Sequence, residues 1–202
     1  MDWSNMFVTR LLQTNEGNCH GFSYLYKILA DQLGANCWLS LAPNHIYIRN
    51  YSENNGWYNT ELTSSCFPTD AWLMTSGYIT TQSIKSGMYM DTLSNQQAIA
   101  LCILDLAKEY EVQTHQYEDG FIIKCCDLVL KYHPVNPIAL LLKAETLKKV
   151  YFKQIKLKDP HSTGTYDVMS MLYLTLARLG YREMPQKVYE EWIFDCKEKR
   201  NI

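Results

Sequence analysis

The sequence predicts an α+β fold, with a short antiparallel sheet in the first part of the chain and an all-α second part. Before about residue 94, short helix and strand patterns alternate with loops rich in Asn, Ser, Thr and Gly. From Asn95 onward, nearly every segment repeats apolar residues with the period of an amphipathic helix. The 202 residues are 47% apolar and 20% charged, which excludes a globally disordered chain. We expect a core over 1–94 and a helical region over 95–202 that packs on it.

Charge and hydropathy limit the classes of partner. Lys and Arg number 19 against 21 Asp and Glu, no run of four basic residues occurs, and the formal net charge is −2. This balance excludes nucleic-acid binding through a basic field. No apolar stretch approaches the roughly 20 residues of a membrane helix. We therefore expect a protein or peptide partner, no nucleic acid and no membrane, and a cytoplasmic location unless a signal peptide once preceded the chain.

Seven cysteines, an odd number, favour a reducing compartment over a disulfide framework. No CxxC pair occurs, so we expect no metal, and nothing in the sequence indicates a cofactor. Four of the cysteines fall inside apolar helical patterns and are expected to be buried: Cys102, Cys125, Cys126 and Cys196.

The first half opens with a helix over about 3–12, and the next helix is the most informative segment. Asn18 is a favourable N-cap, and Gly34 stands where a glycine ends such a helix. These limits place Cys19 at the first helical position. Between them, apolar residues recur at helical spacing and predict a buried stripe, which consists of Phe22, Leu25, Tyr26, Leu29 and Leu33.

Strands follow the glycine. CWLSL predicts a short buried strand, and HIYIRNY and WYNTELT alternate around the turn SENNG, which predicts a hairpin. If paired residue numbers add to an even total, His45, Asn59 and Glu61 share one face of that hairpin. Residues 64–93 are less regular, with one short helix expected over about 81–86.

The second half predicts helices over about 96–111, 119–132, 136–153, 165–179 and 184–199. The junction between the second and third of these reads KYHPVNP, followed by small Ala139 and Ala144 among leucines. This pattern resembles the junction between successive tetratricopeptide units. An ordinary helical bundle is the alternative.

Three residues of the first half predict a catalytic site. A cysteine at a helix N-terminus has its thiolate stabilised, which lowers its pKa. His45 at the start of a strand can pair with that thiolate and protonate a leaving amine. Glu61, or alternatively Asn59, can fix the tautomer of the imidazole from the next strand. The predicted catalytic residues are therefore Cys19, His45 and Glu61, with Asn59 the alternative third member.

The stretch GNCHGFSYLYKILADQLGANCWLSLAPNHIYIR, followed by GWYNTELT, resembles the transglutaminase-like core of the papain-like cysteine hydrolase superfamily. Cys19 matches its nucleophile, Pro43 and His45 match its Pro-x-His, and Glu61-Leu62-Thr63 matches its Asp-x-Thr with glutamate in place of aspartate. The closest subgroup is bacterial and couples such a core to tetratricopeptide-like repeats.

The resemblance implies a cysteine hydrolase or acyltransferase, meaning a peptidase, an amidase or a transglutaminase-like enzyme, that acts on an amide. A peptidase or amidase is favoured, because the sequence has no calcium-ligand cluster. The alternative is a catalytically inactive transglutaminase-like scaffold, whose helical repeats bind a protein or peptide.

Overall fold

The structure is a computed structural model that describes residues 3–198. Within that range, the side chains of residues 3, 193 and 195–198 are not described. The predicted burial of Cys196 therefore lies outside the described residues. The fold is mixed α+β, as predicted, with one small antiparallel sheet and many helices. The described residues form two compact units: one contains 3–94 with 182–198, and the other contains 95–181. No helix of the described part is long and apolar enough to cross a membrane.

The secondary structure begins with a 3₁₀ turn, Trp3–Met6. In chain order, the elements that follow are α1 (Val8–Thr14), α2 (Cys19–Gln32), β1 (Cys37–Ala42), β2 (His45–Ser52), β3 (Gly56–Thr60), α3 (Asp70–Ser76), α4 (Thr81–Lys85), α5 (Asn95–Thr114), α6 (Phe121–Tyr132), α7 (Pro137–Leu157), α8 (Ser162–Leu179) and α9 (Gln186–Glu198).

The sheet has the order β1-β2-β3, and both pairings are antiparallel. Ile48 of the central strand pairs with Leu39 of β1. In the hairpin of β2 and β3, Ile48 pairs with Thr60, so the paired residue numbers add to an even total, as the predicted shared face requires. The outer edge of β1 is covered, because the N–H groups of Met90 and Leu93 donate to carbonyls of that strand. The centre of the sheet is fully buried and forms the core of this unit.

Helix α2 begins and ends as predicted, but its buried face is different. The side chain of Asn18 caps the first turn, and Gly34 follows the helix with φ +70°. The predicted stripe is wrong, because Leu29 and Leu33 are 54% and 85% exposed. The buried side carries Ser23, whose Oγ donates to the carbonyl of Ile46, together with Tyr24. A helix that makes this contact with strand backbone has little room there for leucine.

The irregular stretch between the sheet and α5 contains two helices, of which the sequence predicted one. The predicted helix over about 81–86 is α4, with Thr80 and Ser83 in a capping box. Helix α3 was not predicted, although Thr69 caps it by accepting the N–H of Trp72. Its pattern is too short to give a helical period.

The unit of residues 95–181 packs α5 on α6, α6 on α7 and α7 on α8. Its four predicted helices are confirmed, with ends shifted by a few residues. At the predicted junction, Asn136 caps α7 and Pro137 takes the first helical position. Ala139 and Ala144 are fully buried, which fits close helix packing. Kinship with tetratricopeptide repeats stays a prediction.

Helix α9 was predicted near residues 184–199 as part of the helical region, but it belongs to the unit that contains the sheet. The indole N–H of Trp192 donates to Ser76 Oγ at 3.2 Å, and the indole ring stacks on Trp72. The region assigned to 95–202 therefore ends, as a compact unit, at residue 181. The packing of the helical region on the core stays a prediction.

The expected burial of the helical cysteines is confirmed for Cys125 and Cys126. It is wrong for Cys102, which lies on the exposed side of α5. Every cysteine whose side chain is described is a free thiol.

Candidate active site

The candidate nucleophile lies at the N-terminus of α2. The Asn18 side chain accepts the N–H groups of His20 at 2.9 Å and Gly21 at 3.3 Å, which fixes the first turn. The cap thereby occupies two of the N–H groups that a helix start leaves without an intrahelical partner, but not the N–H of Cys19. Cys19 therefore combines a thiol with a backbone donor at the positive end of the helix dipole.

His45 and Glu61 form a buried pair. His45 begins β2, and Glu61 follows β3, where the even-summed register places both on one face. His45 Nε2 donates to Glu61 Oε1 at 3.0 Å, and the two residues are 2% and 1% exposed. A carboxylate in this position fixes the tautomer and orientation of the ring and stabilises its protonated form.

The thiol of Cys19 interacts with the same imidazole. The charge of each group acts on the other, which lowers the pKa of the thiol and raises the pKa of the imidazole. Because Nε2 is engaged by Glu61, Nδ1 is the ring nitrogen left to face Cys19, and it is buried without a hydrogen-bond partner among the described residues. The backbone of Ile46 also helps to lower the pKa of the Cys19 thiol. The three predicted catalytic side chains are therefore brought together in the order thiol, imidazole, carboxylate.

The electrostatics of the site favour the charged forms of all three groups. Burial raises the pKa of the Cys19 thiol, but the interaction with His45 outweighs it and lowers the pKa to about 7. Burial lowers the pKa of His45, but Cys19 and Glu61 together raise it to about 10. Burial likewise raises the pKa of Glu61, but hydrogen bonds and charge from His45, with hydrogen bonds from Ser64 and Thr63, hold it well below its usual range. At neutral pH the thiol is therefore partly ionised, next to an imidazolium and a carboxylate.

Asn59, the alternative third member, points to other partners. Its Nδ2 donates to the carbonyl of Pro68 at 3.0 Å and to Asp70 Oδ1 at 2.7 Å. Asp70 also accepts from Arg49. Asn59 therefore helps to anchor the start of α3 rather than contacting His45.

Trp192 is a neighbour of the site that the sequence analysis missed. Its indole meets the His45 ring in an edge-to-face arrangement with centroids 4.9 Å apart, and it is itself buried. It lies in α9, at the far end of the chain, and no local pattern connects that helix to His45. The sequence offers one weak signal, the bulky indole on an amphipathic helix.

Access to the thiol is restricted, since Cys19 is 8% exposed. His20 is the next titratable group, and its charge also lowers the pKa of Cys19. Its Nδ1 lies 3.4 Å from the hydroxyl of Tyr24, so the ring has a polar neighbour other than the site. In the described part of the chain, no group of three or more His, Cys, Asp or Glu is arranged to hold a metal ion.

Comparison of this chain with protein-family models, with curated proteins and with solved structures gives no match.

Proposed function

We propose that the protein is a cysteine hydrolase or acyltransferase that acts on an amide through Cys19, His45 and Glu61. The observation that carries the proposal is the buried 3.0 Å contact of His45 with Glu61, joined to a Cys19 thiol whose pKa is lowered to about 7. A thiol half-ionised near neutral pH beside a cationic imidazole is the activated nucleophile of acyl-transfer enzymes.

In the proposed reaction, the Cys19 thiolate attacks the amide carbonyl carbon, and a C–S bond forms as the carbonyl π electrons move to oxygen. The N–H of Cys19 is available to that oxyanion. The intermediate collapses, the C–N bond breaks, and the His45 imidazolium gives its proton to the leaving amine. Water or a second amine then attacks the thioester, neutral His45 takes the proton of that nucleophile, and the Cys19 thiolate leaves. Glu61 orients His45 throughout.

The transglutaminase-like resemblance of residues 15–65 supports the same chemistry and adds peptides or proteins as the substrate class. Hydrolysis by a peptidase or amidase is the preferred outcome, with cross-linking to an amine as the variant. The helical unit, which resembles tetratricopeptide repeats, would present the peptide or protein substrate.

The second candidate is a transglutaminase-like scaffold without catalysis, in which the helical unit binds a protein or peptide. One observation favours it. The thiol is only 8% exposed and His45 only 2%, so a substrate carbonyl reaches Cys19 only after the covering residues move.

The test is a survey of peptide and small-amide substrates with the intact protein, in the presence and absence of a primary amine. We expect turnover, and an acyl-enzyme adduct on Cys19 detectable by intact-protein mass spectrometry. Cys19→Ala abolishes both, whereas the matched variant Cys102→Ala, which removes an exposed thiol of α5, changes neither. Absence of turnover and of adduct with every substrate favours the scaffold.

A further inference from the structure

The carboxylate of Glu61 receives more hydrogen bonds than orientation of His45 requires. Beside His45, Oε1 accepts the N–H of Thr63 at 2.9 Å and its hydroxyl at 2.6 Å. Oε2 accepts the N–H of Ser64 at 2.6 Å and also the Ser64 hydroxyl. Thr63 and Ser64, which we name the Glu61 cradle, thus supply four donors to one carboxylate.

The cradle is built by the turn that carries Glu61. The N–H of Glu61 donates to the carbonyl of Cys66 at 2.9 Å, and the N–H of Cys66 donates back at 3.1 Å. This closed bridge fixes residues 61–66, with Ser65 at φ +55°. All four donors therefore lie within three positions of the carboxylate, and forming the turn is sufficient to aim them. The Ser64 hydroxyl is 3.4 Å from Cys66 Sγ, which adds a second neighbour to hold it.

The net charge of the site explains what the hydrogen bonds of the cradle do. With Cys19 as thiolate, His45 as imidazolium and Glu61 as carboxylate, the buried site holds one uncompensated negative charge. Burial disfavours that charge, and protonation of the Glu61 carboxylate would remove it. Hydrogen bonds to the ionised form oppose this. Ser64 and Thr63 are the residues besides His45 whose hydrogen bonds lower the pKa of Glu61.

We propose that Thr63 and Ser64 are positioning residues that keep Glu61 ionised and aimed at His45, so that the proton of the site stays on the imidazole. The assignment rests on the proposed function, because it takes Glu61 as the orienting group. Neither residue touches a substrate in this scheme; each acts through Glu61. An aspartate at position 61 is one methylene shorter, so from the same backbone its carboxylate would stand farther from His45.

The direct test is a ¹³C NMR titration of the full chain labelled at the glutamate side-chain carboxyl, with the Glu61 signal assigned by its loss in Glu61→Gln. In the unaltered protein we expect Glu61 to titrate below the usual glutamate value of about 4.3. Ser64→Ala removes one charge-assisted hydrogen bond and raises the pKa of Glu61 by roughly one unit, as does Thr63→Val. Ser64→Thr, which keeps the hydroxyl, restores the low value. The control Ser65→Ala changes the exposed neighbour and leaves the titration unchanged.

A second measurement follows the reactivity of Cys19 at pH 6 in folded protein. Ser64→Ala, Thr63→Val and Glu61→Asp are each expected to slow labelling of Cys19 several-fold. The proposal is overturned if Glu61 titrates at the same pH in Ser64→Ala and Thr63→Val as in the unaltered protein, or if Ser65→Ala shifts it equally. These outcomes are separate from the proposed function. If the pKa of Glu61 depends on Thr63 and Ser64 but the protein turns over no amide, the inference about the cradle holds and the proposed catalysis fails. If the protein turns over an amide but the pKa of Glu61 does not depend on these residues, the proposed catalysis holds and the inference fails.

Discussion

Cys19 and Cys126 are both buried thiols in helices, yet their pKa values move in opposite directions. Cys126 lies inside α6, where burial, with smaller contributions from neighbouring acids, raises its pKa to about 12. Burial acts on Cys19 in the same sense, but His45 reverses it and lowers the pKa to about 7. Burial therefore makes a cysteine inert unless a cationic partner is buried with it.

The two thiols also differ in their position along the helix. Cys19 is the first residue of α2, where the N–H groups have no acceptor inside the helix and the dipole is positive. Cys126 lies in the second turn of α6, where the backbone N–H groups are used inside the helix. The helix start therefore stabilises a thiolate at Cys19 without any tertiary contact, whereas the middle of a helix gives a cysteine no such stabilisation.

The largest effect on stability is expected from the tryptophan that packs against His45. Trp192→Ala empties a buried site against His45, Trp72 and Ser76, and we expect it to lower the free energy of unfolding by about 3–5 kcal/mol. Phe194→Ala removes an exposed ring of the same helix and should cost within about 0.5 kcal/mol. Urea unfolding of both variants measures the difference. Equal, small costs would show that α9 does not cover the site.

His45→Gln should convert Cys19 into a thiol like Cys126. Without the imidazolium, burial is left as the largest influence, so the pKa of Cys19 rises above its ordinary value. The thiolate fraction at pH 7 then falls, partly offset by the higher nucleophilicity of a more basic thiolate, and labelling slows by roughly tenfold. Peptide mapping after iodoacetamide treatment measures the rate. An unchanged pH profile would assign the lowered pKa to the helix rather than to His45.

A smaller effect separates the two candidates for the third position. Glu61→Gln removes the charge that holds His45 protonated, so the pKa of Cys19 should rise and turnover should fall several-fold. Asn59→Ala loses hydrogen bonds to Pro68 and Asp70, which costs about 1 kcal/mol of stability and leaves the titration of Cys19 unchanged. The opposite ranking would move the orienting role to Asn59.

The smallest effect concerns the helix start itself. Asn18→Ala removes the cap of α2 and should cost about 1 kcal/mol of stability together with a slight rise in the pKa of Cys19. The matched variant Thr69→Ala removes the cap of α3 and should cost about the same, with no change at Cys19. Thermal unfolding and Cys19 labelling measure the two quantities. A shift of the Cys19 pKa in both variants would mean that general loosening, not the cap, is responsible.

Local signals account for what the sequence could predict. The cap Asn18 lies beside Cys19, so the position of the thiol at a helix start followed from neighbouring residues. The alternation of two strands placed His45 and Glu61 on a common face once the register was assumed to be even-summed. The helices of residues 95–181 were predictable because long amphipathic periods are a strong signal.

Long-range packing accounts for what the sequence could not predict. The sequence suggests an apolar stripe through Leu29 and Leu33, but the helix instead turns Ser23 toward the sheet, where its hydroxyl contacts strand backbone. The contact of Trp192 with His45 joins opposite ends of the chain and leaves no periodic trace. The donors of Thr63 and Ser64 depend on how a turn bends, and a turn that places Ser65 at positive φ has no distinctive sequence here.

The pH dependence of alkylation shows directly whether Cys19 is an activated thiol. Iodoacetamide labelling of the folded protein between pH 5 and 10, with the rate at each cysteine resolved by peptide mapping, reports each pKa from the shape of its profile whatever the absolute rate. We expect a midpoint near 7 for Cys19 and no plateau in this range for Cys126. A midpoint for Cys19 at or above the free-thiol value of about 8.5 would contradict that expectation.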